Sequence, residues 1–282
     1  MQKLQEVVMA MRCNIAVVVI THDETQLIRA IMSLLAQKVR PYRVWLHDNG
    51  TSDSVALAQI DNAGQLLADP LAQIGEARRL LAEAGIECIF SRSEENLRVG
   101  AVRARIYHQV RASKADLVTC LDGDDELGCD VLAAMQATYL ERRGKLDVIV
   151  PREIAIRYDS DPTRIETLVR TIPKIETARP NADDEQVRAW VELTRTGATF
   201  AIRVAALARY NGFSKRHLDD EWVWKLTGWG RQQACFVLAD ISAVGSYQYW
   251  HHDLRKKDPH AERRRLHNPH QRFNTARAAL NG

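Results

Sequence analysis

The chain has 282 residues, 46% apolar and 27% charged, the composition of a globular protein with an ample core rather than of a disordered one. Its formal charge of +3 is uneven, because residues 251–282 hold eight basic side chains against Asp253, Asp258 and Glu262, leaving the rest of the chain slightly acidic. The longest purely aliphatic run, Ile15 to Ile20, is far below the ~20 residues of a membrane span, Met1 to Arg12 lacks a signal-peptide core, and the five cysteines form no C-x-x-C pair, which together predict a cytoplasmic protein with reduced thiols.

Ile15 to Ile20 is predicted as a strand buried on both faces. Asp23 can cap the next helix, whose apolar positions Leu27, Ile31, Leu34 and Leu35 recur at helical spacing. Tyr42 to His47 reads as a second strand, residues 54–84 as an Ala- and Leu-rich helical stretch interrupted near Pro70, and Ile86 to Phe90 as a third strand. Gly100 to Ala112 follows as a helix, Asp116 to Leu121 as a strand, Val131 to Arg142 as a helix and Leu146 to Val150 as a strand. This alternation predicts an α/β sheet with helices on both faces, in which ligands sit at the carboxyl ends of the strands. Pro151, Pro162, Pro173 and Pro180 fall within thirty residues, so the segment at about 151–183 is read as an irregular, variable insertion, with order resuming near Asp184. One domain over 14–250 and a basic tail over 251–282 complete the expected organisation.

Neither G-x-x-x-x-G-K-[ST] nor G-x-G-x-x-G follows a strand, which disfavours a P-loop NTPase or a dinucleotide dehydrogenase. Acids stand at the strand ends instead. The second strand runs into His47-Asp48-Asn49-Gly50-Thr51-Ser52-Asp53 and the fourth into Asp122-Gly123-Asp124-Asp125. Carboxylates two apart in a tight turn can converge on a hard cation, and Gly123 would allow a ligand close. A surface turn with a helix cap explains the same cluster equally well. An EF-hand does not, since Leu127 and Ala133 stand where its Gly and Glu are required. Downstream, His217-Leu-Asp-Asp-Glu-Trp-Val-Trp224 sets three acids before aromatics, either as the first turn of a helix or as a catalytic carboxylate beside a stacking surface. Five of the six tryptophans (Trp190, Trp222, Trp224, Trp229, Trp250) come after residue 189, as core or as a platform for a sugar ring or a base.

Four segments in order, Val17 to Glu24, Val44 to Asp53, Val118 to Asp125 and Gly197-Ala-Thr-Phe through Asn211-Gly-Phe to Leu218-Asp-Asp220, resemble the family 2 glycosyltransferases of the GT-A fold. Asn96-Leu-Arg-Val-Gly100 is a weaker fifth match. The resemblance covers about residues 14–252. It implies a Rossmann-like mixed sheet, a nucleotide-sugar donor (UDP-sugar favoured), Mn²⁺ or Mg²⁺, and inversion at the anomeric carbon. By position, Thr21 and Glu24 would border the base and ribose, Asp48 would bond the uracil or ribose, and Arg98 would lie against the nucleotide. Asp122 and Asp124 match the family's D-x-D, with Asp124 the direct metal ligand. Asp220 matches the general base, with Asp219 and Glu221 as fallbacks, and a late histidine would complete the metal site, with His252 favoured over His251. The chain departs from the family at His22-Asp23, at Asp219-Asp220 and at Tyr249-Trp-His-His252, where the usual arginine near the late histidine is missing.

The tail, with Arg255-Lys-Lys257, Arg263-Arg-Arg265 and five of the nine histidines, has three readings: a solvated terminus, contact with an anionic membrane carrying a lipid-linked acceptor, or contact with nucleic acid. The acceptor is accordingly a glycan, a lipid-linked glycan or a modified nucleic acid. The competing expectation from another class is a non-catalytic nucleic-acid-binding protein on the same scaffold.

Overall fold

Ile15-Ala-Val-Val-Val-Ile-Thr21 carries no polar side chain before its last residue, and all seven residues are buried as strand β1. Such a β-branched run fits a central strand covered on both faces. The structure is a computed structural model that describes residues 13–22, 26–51, 69–97, 99–142, 146, 148–151, 153–158, 161–169, 201–207, 238–241 and 247–251. After β1 come α1 (Leu27–Leu35), β2 (Arg43–Asp48), α2 (Pro70–Glu83), β3 (Cys88–Arg92), α3 (Val99–Arg111) and β4 (Leu117–Asp122). The short β5 (Glu126–Leu127), α4 (Val131–Glu141), β6 (Val148–Pro151), β7 (Glu153–Tyr158) and β8 (Asp161–Val169) follow. Then come β9 (Ala201–Arg203), α5 (Val204–Leu207), β10 (Leu238–Ile241) and β11 (Tyr247–His251).

Seven strands form one mixed sheet in the order β10-β6-β9-β4-β1-β2-β3. β1 pairs in parallel with β2 and β4, and β2 with β3, while β9 runs antiparallel between β4 and β6. The chain therefore moves outward from β1 to β3, then returns past β1 to lay down β4. Right-handed crossovers put α1 and α2 on one face and α3, which makes the return, on the other. The reversal leaves a crevice at the carboxyl ends of β1 and β4, where ligands bind in open sheets of this kind. The mixed α/β sheet flanked by helices agrees with the fold class expected from the sequence.

The break expected near Pro70 coincides with the start of α2. Asp69 caps α2, accepting from the Leu71 N–H at 2.9 Å, and Pro70 fills the first turn, where its missing N–H costs nothing. The irregular chain expected from residue 151 is corrected over 153–169, where β7 and β8 pair antiparallel. Prolines misled because Pro162 sits at the second position of β8, the last strand of the four-stranded sheet β5-β11-β7-β8, where a missing donor is tolerated. The four described cysteines, Cys13, Cys88, Cys120 and Cys129, are free thiols, and burial pushes that of Cys13 up to about 12. No helix among the described residues is long and apolar enough to cross a membrane. Asp23, the segment 52–68, the resumption of order near Asp184 and the tail beyond His251 lie outside the described residues.

Candidate functional site

Register brings the predicted strand-end residues together. Thr21 pairs with Asp48 across β1 and β2, and Ile20 pairs with Asp122 across β1 and β4. Thr21, Asp48 and Asp122 thus end three adjacent parallel strands at the crevice. The Gly123 N–H donates to the Ile20 carbonyl at 2.8 Å, extending this pairing by one residue. A Cβ on Gly123 would lie 3.1 Å from the Ile20 oxygen and from Thr21 Cβ. The glycine thus serves close packing of the β4 turn on β1, an intramolecular reason for a residue the sequence assigns to ligand approach.

Asp48 has no exposed side-chain surface. Its Oδ1 accepts from the Thr51 N–H at 2.9 Å, and its Oδ2 lies 3.0 Å from Arg92 Nε. Arg92 also donates to the Thr51 carbonyl at 2.6 Å, so the turn after β2 closes around the carboxylate. The sequence assigns Asp48 to the nucleotide; in the structure its carboxylate organises the turn that would meet one. Neighbouring Asn49 ties this turn to the loop after β3. It accepts from the Leu97 N–H at 3.0 Å and donates to the Leu97 carbonyl at 2.7 Å and to Asn96 Oδ1 at 2.9 Å. Its own N–H donates to the Thr21 carbonyl at 2.8 Å, and Asn96 Nδ2 stands 2.8 Å from His22 Nε2. The loops after β1, β2 and β3 are therefore one hydrogen-bonded unit.

His47 is buried between two hydroxyls, with Nδ1 2.8 Å from Ser91 Oγ and Nε2 3.1 Å from Ser93 Oγ. Burial pushes its pKa below the usual imidazole range, Arg105 adds to the effect, and Asp48 opposes it. The sign follows directly. Below about 6.5 the unfolded chain takes up a proton that the folded one excludes, so stability is full above that value and falls as pH drops toward the lowered folded pKa. Urea unfolding of the wild type is expected to lose more stability between pH 7.5 and 5.5 than that of His47→Gln. Equal losses would assign the acid sensitivity to another group.

On the other side of the crevice, Asp122 Oδ1 accepts from Arg103 Nη2 at 2.7 Å. Arg29 donates to the Asp124 carbonyl at 2.8 Å and approaches Glu126 at 3.3 Å, which fastens the acidic turn to α1. Asp125 is buried, and its N–H donates to the Asp122 carbonyl at 3.0 Å. β11 pairs antiparallel with β5, Gln248 opposite Glu126. From Gln248 onward β11 therefore continues past the end of β5 that follows Asp124 and Asp125, and it closes with His251. Among the described residues no group of three or more His, Cys, Asp or Glu gathers to hold an ion. Asp122 and Asp124 supply hard carboxylate oxygens of the kind that Mn²⁺ or Mg²⁺ would share with substrate phosphates and water.

Of the sequence-assigned residues, Thr21, Asp48, Asp122 and Asp124 are described, and the fold sets them along the ends of β1, β2 and β4. Glu24, Arg98, Asp220 and His252 lie outside the described residues, as do the alternatives Asp219 and Glu221. Sequence reasoning missed Arg92, Arg103 and Asn49. Arg103 carried a readable signal: it falls in phase with Val102, Ile106 and Val110, a charge in the apolar stripe of a helix.

No family model matches the sequence, and no curated protein matches it. Among solved structures the chain is similar to S. aureus TarS, with a TM-score of 0.55 and 16% identity over 84% of this chain and 37% of that one. It is also similar to S. aureus TarS 1–349 in complex with UDP-GlcNAc (TM-score 0.54, 14% identity, 84% of this chain and 58% of that one). A third likeness is to GalNAc-T7 with UDP, GalNAc and Mn²⁺ (TM-score 0.54, 13% identity, 85% of this chain and 44% of that one). The chain spans between about a third and three fifths of the length of these structures. The chain has the GT-A fold.

Proposed function

We propose that the protein is a metal-assisted, inverting glycosyltransferase that moves a sugar from a UDP-sugar to an acceptor hydroxyl. The observation that carries this reading is that Thr21, Asp48 and Asp122 end three adjacent parallel strands where the strand order reverses. The fold supports it, since similar structures carry UDP, UDP-GlcNAc, or UDP with GalNAc and Mn²⁺. In this reading the Thr21 backbone and Glu24 border the base and ribose, and Asp48, through the turn it closes, shapes the base pocket. Arg98 lies against the nucleotide, and Asp122 bonds the donor. Asp124 and His252 would hold Mn²⁺ or Mg²⁺, which when bound supplies charge neutralisation on the departing diphosphate. Asp220 takes the acceptor proton as the hydroxyl attacks from the face opposite the leaving group.

Titration with UDP-, GDP- and other nucleotide sugars, with and without Mn²⁺, tests the reading by thermal unfolding. Ligand at about 100 times its Kd stabilises by about 2.7 kcal/mol, a rise of several degrees that is expected for UDP-sugars with Mn²⁺. An unchanged melting temperature with every nucleotide would overturn it.

A further inference from the structure

Arg103 stands out as the buried arginine of the described residues. It lies on the second turn of α3, in the stripe Val102, Ile106, Tyr107 and Val110 that α3 turns inward, with only 3% of its side chain exposed. A guanidinium in that place is costly, and a charge-assisted hydrogen bond to an ionised partner is the usual compensation. The partner is Asp122, whose Oδ1 accepts from Nη2 at 2.7 Å. The two ends of this pair differ in surroundings: 41% of the Asp122 side chain is exposed, at the crevice, while the arginine reaches it from the interior. A planar guanidinium anchored by packing fixes the orientation of the carboxylate it holds, as lysine does less well.

We propose that Arg103 is a positioning residue for the donor, holding the Asp122 carboxylate in one orientation at the mouth of the crevice. It touches no substrate and acts through Asp122. The inference rests on the glycosyltransferase reading, because it is the nucleotide that would meet Asp122.

Calorimetric titration of the full chain with UDP in the presence of Mn²⁺ tests it on wild type, Asp122→Asn, Arg103→Met, Arg103→Lys and the Arg103→Met/Asp122→Asn double variant. Asp122→Asn and Arg103→Met are each expected to weaken UDP about tenfold, the scale of one charge-assisted contact. The double variant is expected to bind no more weakly than the poorer single, because the arginine has no carboxylate left to orient. Arg103→Lys should recover part of the loss, and thermal unfolding of each variant confirms that it is folded. A merely structural arginine would give losses that add in the double variant, and that result, or wild-type affinity in Arg103→Met, overturns the proposal. Should Arg103→Met fail to fold, the same cycle is run with Arg103→Lys, where losses that add overturn the proposal equally. Wild-type protein that does not bind UDP overturns the functional reading and this inference together, whereas UDP binding with additive losses overturns the positioning role alone.

Discussion

Gly50→Ala is expected to lower the melting temperature by about 10 °C and to cost most of the UDP affinity. Gly50 has φ +77°, and a Cβ there would lie 2.3 Å from the Glu95 carbonyl carbon and 2.5 Å from the Asn96 nitrogen. Those are backbone atoms and cannot rotate aside. The left-handed conformation alone costs an alanine ~1–2 kcal/mol. Pushing residues 95–96 away also strains the bonds from Asn49 to Asn96 and Leu97, each worth ~1 kcal/mol. A loss of about 3–4 kcal/mol follows, and each kcal/mol moves the midpoint of a domain this size by ~2–4 °C. Gly85 provides the control. Its φ is +68° but no atom lies within 4 Å of the missing Cβ, so Gly85→Ala should show the backbone term alone. Equal effects of the two substitutions would mean that the loops after β2 and β3 are not clasped as described.

Asp220→Asn is expected to lower sugar transfer by ~10²- to 10⁴-fold while leaving UDP affinity within about twofold, the range for loss of a general base. The proposed base works on the acceptor hydroxyl and not on the nucleotide, so the loss falls on kcat rather than on donor binding. Single-turnover transfer to a range of acceptors, with Asp219→Asn and Glu221→Gln beside it, measures this. Full transfer by Asp220→Asn, with loss in either neighbour, would move the base one residue along Asp219-Asp220-Glu221. Loss of UDP binding in Asp220→Asn would place this carboxylate on the donor side instead.

The central strands were legible because a parallel strand covered on both faces must be nearly continuous in apolar residues, as Ile15 to Ile20 is. The acids at the ends of β2 and β4 were legible too, since a carboxylate directly after a buried strand is conspicuous. Pro70 marked a real break, whereas Pro162 misled. Proline signals a missing donor and a fixed φ, and both suit a helix start and the last strand of a sheet as well as irregular chain. The partners of the site carboxylates were not legible. Arg92 is 44 residues from Asp48 and Arg103 is 19 from Asp122, and no local pattern joins them.

The sequence by itself determined the alternation of strand and helix, the parallel core of the sheet and the positions at which acids leave it, because these depend on hydrophobic periodicity over short windows. Only the tertiary structure decided that β4 returns beside β1, so that Thr21, Asp48 and Asp122 end neighbouring parallel strands. It also decided that the two strand-end carboxylates are each met by an arginine. Strand order and long-range charge pairing arise from burying the whole sheet at once, and a charge taken from water must find its partner wherever the packing brings one.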